Sequence, residues 1–302
     1  MTESSSSRSW SLRRPLDIAL TAGPLRRGPG DPTLRISSGS LWRATRTPAG
    51  PASVHLTVRR GRVEVLAWGP GSEWALDAAP ALVGEDDDPD ALVARHPIVR
   101  ALQRRLAGFR IGRTGAVFEA LLPAILEQKV TGQEAWRSFR SLVRTWGEPA
   151  PGPGALWLPP DPATLGGRPY WAWHPLGVER KRADSIRAAC GRAGRLEEIG
   201  GLDRTEAYRR LMALPGVGSW TAAEMAGRAL GDPDAVPDGD WHLPDVVAWA
   251  LAGEPRASDE RMLELLEPYR GQRGRVIRLL EARAPRPPRW GPRRALRHIA
   301  AF

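Results

Sequence analysis

The chain has 302 residues, enough for one large or two ordinary domains that each bury a hydrophobic core. Its apolar fraction of 42% is typical of a globular protein, and its longest apolar runs, such as residues 246–252, are too short to span a membrane. The formal net charge of +10 is nearly all arginine, and the single cysteine excludes a disulfide framework, a cysteine-based zinc site and a four-cysteine iron–sulfur cluster.

The N-terminal part of the chain favours strands. Residues 1–12 are polar and rich in serine, which predicts a flexible N-terminus. The next stretch is interrupted by Asp17 and has no small-residue cleavage site, so we expect no secretory signal and a cytoplasmic location. Residues 13–84 alternate short apolar runs with Gly and Pro, and the runs SVHLTV and VEVLAW flank a turn at Gly61. The pattern predicts a small β-rich domain over residues 13–84.

The acidic run EDDDPD marks a change of pattern, and nearly every segment between residues 85 and 284 has the periodicity of an amphipathic helix. We therefore predict an α+β protein, in which a small N-terminal antiparallel β-sheet domain precedes an all-helical domain over residues 85–284. Residues 285–302 are predicted to form a basic C-terminal extension.

Positive charge is concentrated near the end of the chain. Residues 269–302 contain ten arginines and a single acid, Glu281. Arginine suits phosphate because its planar guanidinium donates two parallel hydrogen bonds to one group. A solvated basic tail without a partner is the alternative interpretation.

A glycine turn joins two helical segments in RRLMALPGVGSWTAAEM. Gly216 and Gly218 allow the backbone to adopt positive φ and to approach a ligand closely. The free N–H groups at the start of the following helix, which Ser219 can cap, are suited to bind a phosphate oxygen. A glycine turn is also a common plain connection between packed helices, so the turn alone leaves phosphate binding open.

The loop after that helix is rich in aspartate. The segment DPDAVPDGD contains Asp232, Asp234, Asp238 and Asp240, and most acids in such loops are solvated or cap helices. A carboxylate close to a phosphate-binding hairpin in a basic protein is unusual. Its natural use is to face a positive charge that develops beside a DNA backbone.

These features together resemble a known family. The segment LPGVGSWTA, the 22 residues from Gly218 to Asp240, and the segment DWHLP are similar to the helix-hairpin-helix DNA glycosylases of the endonuclease III superfamily, and most to the 3-methyladenine DNA glycosylase II branch. The resemblance implies that Asp240 is the catalytic carboxylate, whereas an alignment anchored on the preceding proline selects Asp238. The phosphate-binding hairpin that it implies consists of Leu214, Pro215, Gly216, Val217, Gly218, Ser219 and Thr221.

The resemblance also implies how the reaction proceeds. Bifunctional members have a lysine after the hairpin serine, whereas this chain has Trp220, so we expect a monofunctional N-glycosylase without strand cleavage. Such an enzyme flips an alkylated base out of duplex DNA and hydrolyses its N-glycosidic bond with help from the aspartate, which starts base excision repair. Trp220 and Trp241 would offer stacking faces to an electron-poor base, with core packing as the alternative for each.

Further expectations follow from the same resemblance. Gln128 or Lys129 would fill the gap left by the flipped base, unless the pair is simply a polar helix end. The partner would be double-stranded DNA with damaged bases, bound by a monomer. We expect no metal site and no required cofactor, although the hairpin carbonyls permit a monovalent cation.

Two rival functions stay open. The chain could be a helix-hairpin-helix DNA-binding protein without catalysis, in which Asp240 is only a loop or cap residue. It could also be a glycosylase for a neutral base such as uracil or mismatched adenine, for which Glu224 is the candidate reader of the base edge. Glu281 or a neighbour stands where the alkylated-base branch often has an aromatic pocket residue, which leaves the specificity of the pocket open.

Overall fold

The structure, a computed structural model that describes residues 5–288, begins with a five-stranded antiparallel sheet. The strands follow one another in space in the order β1-β5-β4-β3-β2. Their bounds are Ser5–Ser11 (β1), Leu34–Ser37 (β2), Ser40–Thr47 (β3), Gly50–Arg59 (β4) and Arg62–Trp68 (β5). Most of the predicted C-terminal extension, residues 289–302, lies outside the described residues.

The turn predicted at Gly61 is confirmed. Arg59 pairs with Arg62, so β4 and β5 are joined by a two-residue turn. Both turn residues have positive φ, 49° at Arg60 and 74° at Gly61, as the tight turns that match strand twist require. Along β5 the buried Val63 and Val65 alternate with exposed residues, which gives the sheet one apolar face.

The prediction of a flexible N-terminus over residues 1–12 is wrong for residues 5–11. These residues form β1 and pair antiparallel with β5 from Ser5 opposite Trp68 to Ser11 opposite Arg62. The physical reason is that β5 would otherwise present an unpaired edge, and the backbone groups of a serine-rich segment can satisfy it as well as those of any other sequence.

Helices dominate the rest of the chain, so the predicted α+β class is confirmed. The first seven helices are Ile18–Ala22 (α1), Ser72–Leu82 (α2), Pro97–Arg105 (α3), Val117–Leu126 (α4), Gly132–Trp146 (α5), Pro162–Gly166 (α6) and Tyr170–Trp173 (α7). The next seven are Arg180–Cys190 (α8), Ala193–Glu197 (α9), Arg204–Met212 (α10), Ser219–Ala229 (α11), Leu243–Ala252 (α12), Asp259–Leu266 (α13) and Arg273–Arg283 (α14).

Shorter elements complete the described part of the chain. Two short strands, Glu148–Pro149 (β6) and Trp157–Leu158 (β7), pair with each other after α5. The 3₁₀ helices are Gly23–Leu25, Pro89–Ala91, His174–Leu176, Glu198–Gly201 and Glu267–Tyr269. Within residues 5–288, no helix combines the length and the apolar composition that a bilayer crossing needs.

The apolar side chains form three main clusters. One lies between the sheet and α2, a second surrounds the fully buried α4 and includes α5, α8, α10 and α11, and a third joins α3, α12, α13 and α14. The hairpin helix α11 belongs to the second cluster and α14 to the third, so a cleft between the two clusters has α11 on one side and α14 on the other.

Buried arginine–carboxylate pairs connect the sheet to α4 and the loop after α2 to the loop before α4. Arg43 of β3 donates to Glu119 of α4 at 2.6 Å, and the Thr45 hydroxyl donates to the other oxygen of that carboxylate at 2.7 Å. Arg110 donates to Glu85 at 2.6 Å from a side chain that is almost fully buried. The position of the sheet relative to the helices therefore depends on directional polar contacts as well as on apolar packing.

We expect Asp87→Ala to destabilise the fold strongly. Asp87 is the ion-pair partner of Arg275, and both side chains are buried. Removing the carboxylate leaves a buried guanidinium without its counter-charge, which costs about 3–5 kcal/mol of the free energy of unfolding. Urea unfolding measures the loss, and the matched control is Glu267→Ala, which removes the acid of an exposed pair with Arg270 and should cost less than about 1 kcal/mol. Similar losses in the two variants would contradict the prediction.

Candidate functional site

A pocket of about 780 Å³, measured with its open mouth, lies in the cleft between α11 and α14. Its walls come from segments far apart in sequence: the N-terminal segment, the loop before α4, α11, the loop before α12, and α14. Residues that represent these walls are Thr21, Arg110, Ala223, Asp240, Ile277 and Glu281. A concave site at the junction of several elements is where small ligands usually bind.

Asp240 reaches this pocket from the loop before α12. One carboxylate oxygen accepts hydrogen bonds from the backbone N–H groups of His242 at 2.8 Å and Leu243 at 3.0 Å. The other accepts from the indole Nε1 of Trp220 at 3.2 Å. The carboxylate is therefore held at the N-terminus of α12, where the helix dipole favours negative charge, and its orientation is fixed by three donors.

The loop that carries Asp240 is docked on the first turn of α14. A side chain at Gly274 would meet the backbone oxygen of Ala235 at 2.6 Å, so only glycine allows the loop to approach the helix so closely. The backbone N–H of Arg275 donates to the Pro233 carbonyl at 2.9 Å, and Arg273 forms an ion pair with Asp234 at 2.6 Å. These contacts fix the distance between the loop and α14.

The other three aspartates of the loop have structural partners. Asp232 is buried, accepts from the Tyr208 hydroxyl at 3.1 Å and pairs with Arg204. Asp234 is held by the ion pair on α14. Asp238 accepts from the hydroxyl of Ser219 at 3.0 Å and does not line the pocket. Of the two carboxylates that the sequence leaves in competition, the structure places Asp240 at the pocket.

The glycine hairpin lies between α10 and α11, as predicted. Gly216 has φ of 80°, and a side chain there would meet the Ser185 hydroxyl of α8 at 2.0 Å. The N-cap of α11 is Gly218, and the Ser219 side chain bonds to Asp238 instead of capping the helix. Pro215, Gly216, Gly218 and Ser219 are exposed, so the start of α11 is open to a ligand from solvent.

The two residues predicted to fill a gap in the DNA have different roles in the structure. Gln128 follows α4, and its amide nitrogen donates to the Gly216 carbonyl and to the Thr221 hydroxyl, both at 2.8 Å. Its side chain therefore joins the segment after α4 to the hairpin and to the first turn of α11. Lys129 is exposed and has φ of 57°, so the chain turns sharply there and its side chain extends into solvent beside the hairpin.

Neither predicted tryptophan lines the pocket. Trp220 is half-buried and contacts the site through its hydrogen bond to Asp240. Trp241 is 86% exposed. The turn that directs Asp240 toward the pocket directs the next side chain outward, which is why the adjacent tryptophan stands in solvent. Stacking of Trp241 on a base stays a prediction for the DNA-bound protein.

Four buried charges form a row at the base of α11, which we name the buried charge row: Arg27, Glu127, Arg228 and Glu224. Arg27 donates to Glu127 at 3.2 Å, Glu127 lies 3.7 Å from Arg228, and Arg228 lies 2.5 Å from Glu224. Burial, reinforced by the charge of Arg228, lowers the pKa of Arg27 to about 10, which leaves it ionised at neutral pH.

Glu224, the residue predicted to read a base edge, is a member of the buried charge row and is paired there with Arg228. Burial alone would raise the pKa of Glu224, but the surrounding guanidinium groups, above all Arg228, more than offset burial and lower it. The Glu224 side chain is 14% exposed and its carboxylate is engaged by Arg228. Glu224 is therefore an ionised structural acid and not a free acceptor.

Besides Asp240, Glu281 is the carboxyl group of the pocket wall that has no close guanidinium partner among residues 5–288. Its side chain is 44% exposed, and Arg278 on the same helix approaches no closer than 3.8 Å. Enclosure in the pocket raises the pKa of Glu281, and the negative charges of Glu224 and Asp240 raise it further, while Arg278 acts against them. The sequence alone identified Glu281 only as a departure from an aromatic residue.

The described residues offer little to a metal ion. Within residues 5–288, no three side chains of His, Cys, Asp or Glu come together in an arrangement that could hold one. Of the hairpin carbonyls that a monovalent cation would use, that of Gly216 accepts the hydrogen bond from Gln128.

About two thirds of this chain is similar to part of a curated DNA repair protein. No family model matches the chain. A relative from Mycobacterium tuberculosis, described as a probable bifunctional transcriptional activator/DNA repair enzyme AlkA, is 31% identical over 216 residues. The match covers 69% of this chain and 43% of the relative, so the chain spans less than half the length of the curated protein.

Solved structures share the fold over nearly the whole chain. The 3-methyladenine DNA glycosylase from Archaeoglobus fulgidus superposes with a TM-score of 0.75 at 20% identity, covering 91% of this chain and 97% of that one. The apo form of the 8-oxoguanine glycosylase/lyase from Clostridium acetobutylicum has a TM-score of 0.71 at 15% identity, covering 93% and 98%. At these identities the likeness establishes the fold.

We expect Glu281→Gln to raise the free energy of unfolding at neutral pH. A carboxyl group whose pKa is raised by folding binds more protons in the folded than in the unfolded state, so the free energy of unfolding falls as pH rises between the two pKa values. Glutamine does not titrate, so the free energy of unfolding of the variant does not fall for this reason as pH rises. Urea unfolding should show an advantage of the variant at about pH 7 that shrinks below about pH 4, where the native glutamate is protonated in both states. A variant less stable than wild type at neutral pH would contradict the assignment.

Proposed function

We propose that this chain, whose fold is that of the helix-hairpin-helix DNA glycosylases, is a DNA N-glycosylase that excises alkylated bases from duplex DNA. One observation carries the proposal: an open pocket has the fixed carboxylate of Asp240 in its wall, and the hairpin, with Pro215, Gly216, Gly218 and Ser219 exposed, leads into the same helix, α11, that lines the pocket. The names of its relatives, a DNA repair enzyme and a 3-methyladenine DNA glycosylase, support the same class of substrate.

The hairpin would hold the DNA backbone beside the damaged nucleotide. The N–H groups at the start of α11 are exposed and aligned with the positive end of the helix dipole, an arrangement that binds phosphate oxygens. The Gln128 amide donates to the Gly216 carbonyl and so holds the turn of the hairpin in place. Backbone binding of this kind is independent of sequence, as a search for rare lesions requires.

Asp240 would act on the sugar of the flipped nucleotide. As the N-glycosidic bond breaks, positive charge develops on the sugar ring, and a carboxylate already oriented by three hydrogen-bond donors stabilises it without further rearrangement. The same carboxylate can orient the water that attacks C1′. A base alkylated on a ring nitrogen is already positively charged, so it departs without needing a separate general acid.

The residue after Ser219 supports a monofunctional enzyme that leaves an abasic site. Trp220 has no amine to attack the sugar, and its indole is engaged by Asp240. The two lysines of the chain lie elsewhere: Lys129 is in the turn that follows α4, and Lys181 is on α8. Lys129 is the residue we propose to enter the gap in the DNA, because Gln128 is occupied by the hairpin.

Other expectations from the sequence are proposals of the same kind. We propose that the protein acts as a monomer on double-stranded DNA, in the cytoplasm, without a required cofactor. A monovalent cation at the remaining hairpin carbonyls would help to neutralise a nearby phosphate. Of the rival functions, a neutral-base glycosylase with Glu224 as reader is disfavoured by the ion pair of Glu224 with Arg228.

We expect Asp240→Asn to abolish release of free base from methylated duplex DNA, while DNA affinity stays close to that of wild type. Asparagine retains the size and an acceptor oxygen but cannot offset the positive charge of the transition state. Liquid chromatography of released bases and fluorescence anisotropy of a labelled duplex measure the two properties. The comparison variant is Asp238→Asn, which removes the competing carboxylate and should still release base.

Several outcomes of that experiment would contradict the proposal. Loss of release in the Asp238 variant but not in the Asp240 variant would exchange the two assignments. Wild type that binds duplexes tightly and releases no base would favour a non-catalytic binding protein. Strand cleavage by wild type that disappears in Lys129→Gln would contradict the monofunctional assignment.

We expect Gly216→Ala to weaken duplex binding by about tenfold or more, since each 1.4 kcal/mol of disrupted binding is a factor of ten. The new side chain would have to adopt φ of 80° and would collide with Ser185 of α8, which displaces the hairpin. The matched control is Gly253→Ala, where φ is 72° but the space is open and the position is the end of α12. Equal dissociation constants for the two variants would argue against hairpin binding of DNA.

A further inference from the structure

One face of α14 is turned entirely toward the pocket. Gly274, Ile277, Arg278 and Glu281 lie at positions i, i+3, i+4 and i+7, so they share a face of the helix, and all four line the pocket. Gly274 is the point where the loop before α12 docks on the helix. The docking that brings Asp240 to the pocket therefore also sets its position relative to Glu281, two turns further along α14.

Glu281 is distinguished from the other acids of the pocket by its lack of a close partner. Glu224 is 2.5 Å from Arg228, and Asp232 accepts from the Tyr208 hydroxyl. Within residues 5–288, no side chain donates a hydrogen bond to the Glu281 carboxyl group, and its nearest cation is 3.8 Å away. A carboxyl group kept accessible inside a pocket, without a compensating contact, is unfavourable for folding and suited to binding.

The remaining walls are largely apolar, and their aromatic side chain within the described residues, Phe109, is only 8% exposed. Phe109, Ala223, Leu243 and Ile277 contribute apolar surface, and no tryptophan of the described residues is part of the wall. Apolar walls favour any flat ring to a similar degree, so they discriminate poorly between bases. A polar group that contacts the edge of the ring discriminates better, because a base without the matching group leaves it unsatisfied.

We propose that Glu281 is the specificity-determining residue of the pocket: its carboxylate accepts hydrogen bonds from the N–H edge of a flipped, positively charged purine that has an exocyclic amino group. The inference rests on the proposed function and narrows its substrate class. Negative charge from Glu281 and Asp240 at the same pocket attracts a cationic ring, while a bound neutral base without an amino group would cover the Glu281 carboxylate and leave it without a hydrogen-bond donor.

The experiment compares two kinds of lesion in wild type and in Glu281→Gln. Duplexes containing 3-methyladenine or 7-methylguanine present a cationic ring with an exocyclic amine, and duplexes containing 1,N6-ethenoadenine present a neutral ring without one. Glutamine preserves the size and one acceptor oxygen but removes the charge. We expect the ratio of kcat/KM for methylated purines to that for ethenoadenine to fall about tenfold to a hundredfold, the size of a lost charged hydrogen bond.

A matched control separates this effect from a general change of charge. Glu264→Gln makes the same replacement on α13, at an exposed acid that pairs with Arg261 away from the pocket, and should leave the ratio at its wild-type value. Urea unfolding confirms that the Glu281 variant is folded. Because a distorted pocket would lower kcat/KM for every lesion, only a change in the ratio supports the role of Glu281.

The pH profile gives an independent readout. Glu281 must be ionised to accept from the amine and to attract the cation, and its pKa is raised, so wild-type kcat/KM for methylated purines should fall as pH is lowered through that raised value. In Glu281→Gln this acid limb should move to lower pH. Within residues 5–288, the charged groups that line the pocket or act on the pKa of Glu281 are Arg278 on its own helix, Arg286 after it, Glu224 and Arg228 on α11, Asp232 and Asp240 on the loop before α12, and Arg110 before α4.

The outcomes distinguish a wrong role for Glu281 from a wrong proposed function. If wild type releases methylated purines and the Glu281 variant has an unchanged ratio and an unchanged acid limb, the proposed function stands and the role of Glu281 is wrong. A uniform loss on all lesions also overturns it. If wild type releases no methylated purine while Asp240→Asn and wild type behave alike, the proposed function itself fails.

Discussion

The buried charge row is the contact on which the geometry of the site depends. Arg27 comes from the segment after α1, Glu127 from the end of α4, and Arg228 and Glu224 from α11. Each of these groups would be unfavourable alone in the interior, so the three segments must meet for any of the charges to be tolerated. The same helix begins at the hairpin, about 14 Å from Arg228 at 1.5 Å per residue. Fixing one end of α11 therefore positions the hairpin at its other end.

The acids near the pocket show how position decides the role of a carboxyl group. The close guanidinium of Arg228 lowers the pKa of Glu224 in spite of its burial, whereas the pKa of Glu281 is raised because burial and two carboxylates outweigh the more distant Arg278. Asp240 differs from both, since its donors are neutral N–H groups. The first acid stabilises the fold, and the other two are left able to interact with a ligand.

Local signals in the sequence were enough to predict much of this protein. Helical and strand periodicities predicted the α+β class, the Gly61 turn and the glycine hairpin, and the resemblance to helix-hairpin-helix DNA glycosylases is confirmed at the level of the fold. Pairing of β1 was missed because backbone edges are not encoded in side-chain pattern. The outward direction of Trp241 and the ion pair of Glu224 depend on hydrogen bonds and contacts that periodicity does not describe.

Glu281 shows most clearly what could not be predicted from the sequence. The spacing of Glu281 and Gly274 places both on one face of a helix, but no neighbouring sequence pattern indicates that this face contacts the loop that carries Asp240. That information lies in Gly274 itself, because the Ala235 backbone occupies the space where any other residue would have a side chain. A glycine inside a helix weakens the helix, and here the weakness is offset by the contacts it permits. The carboxylate proposed for the sugar and the one proposed for the base thus belong to two elements whose close approach requires glycine at position 274.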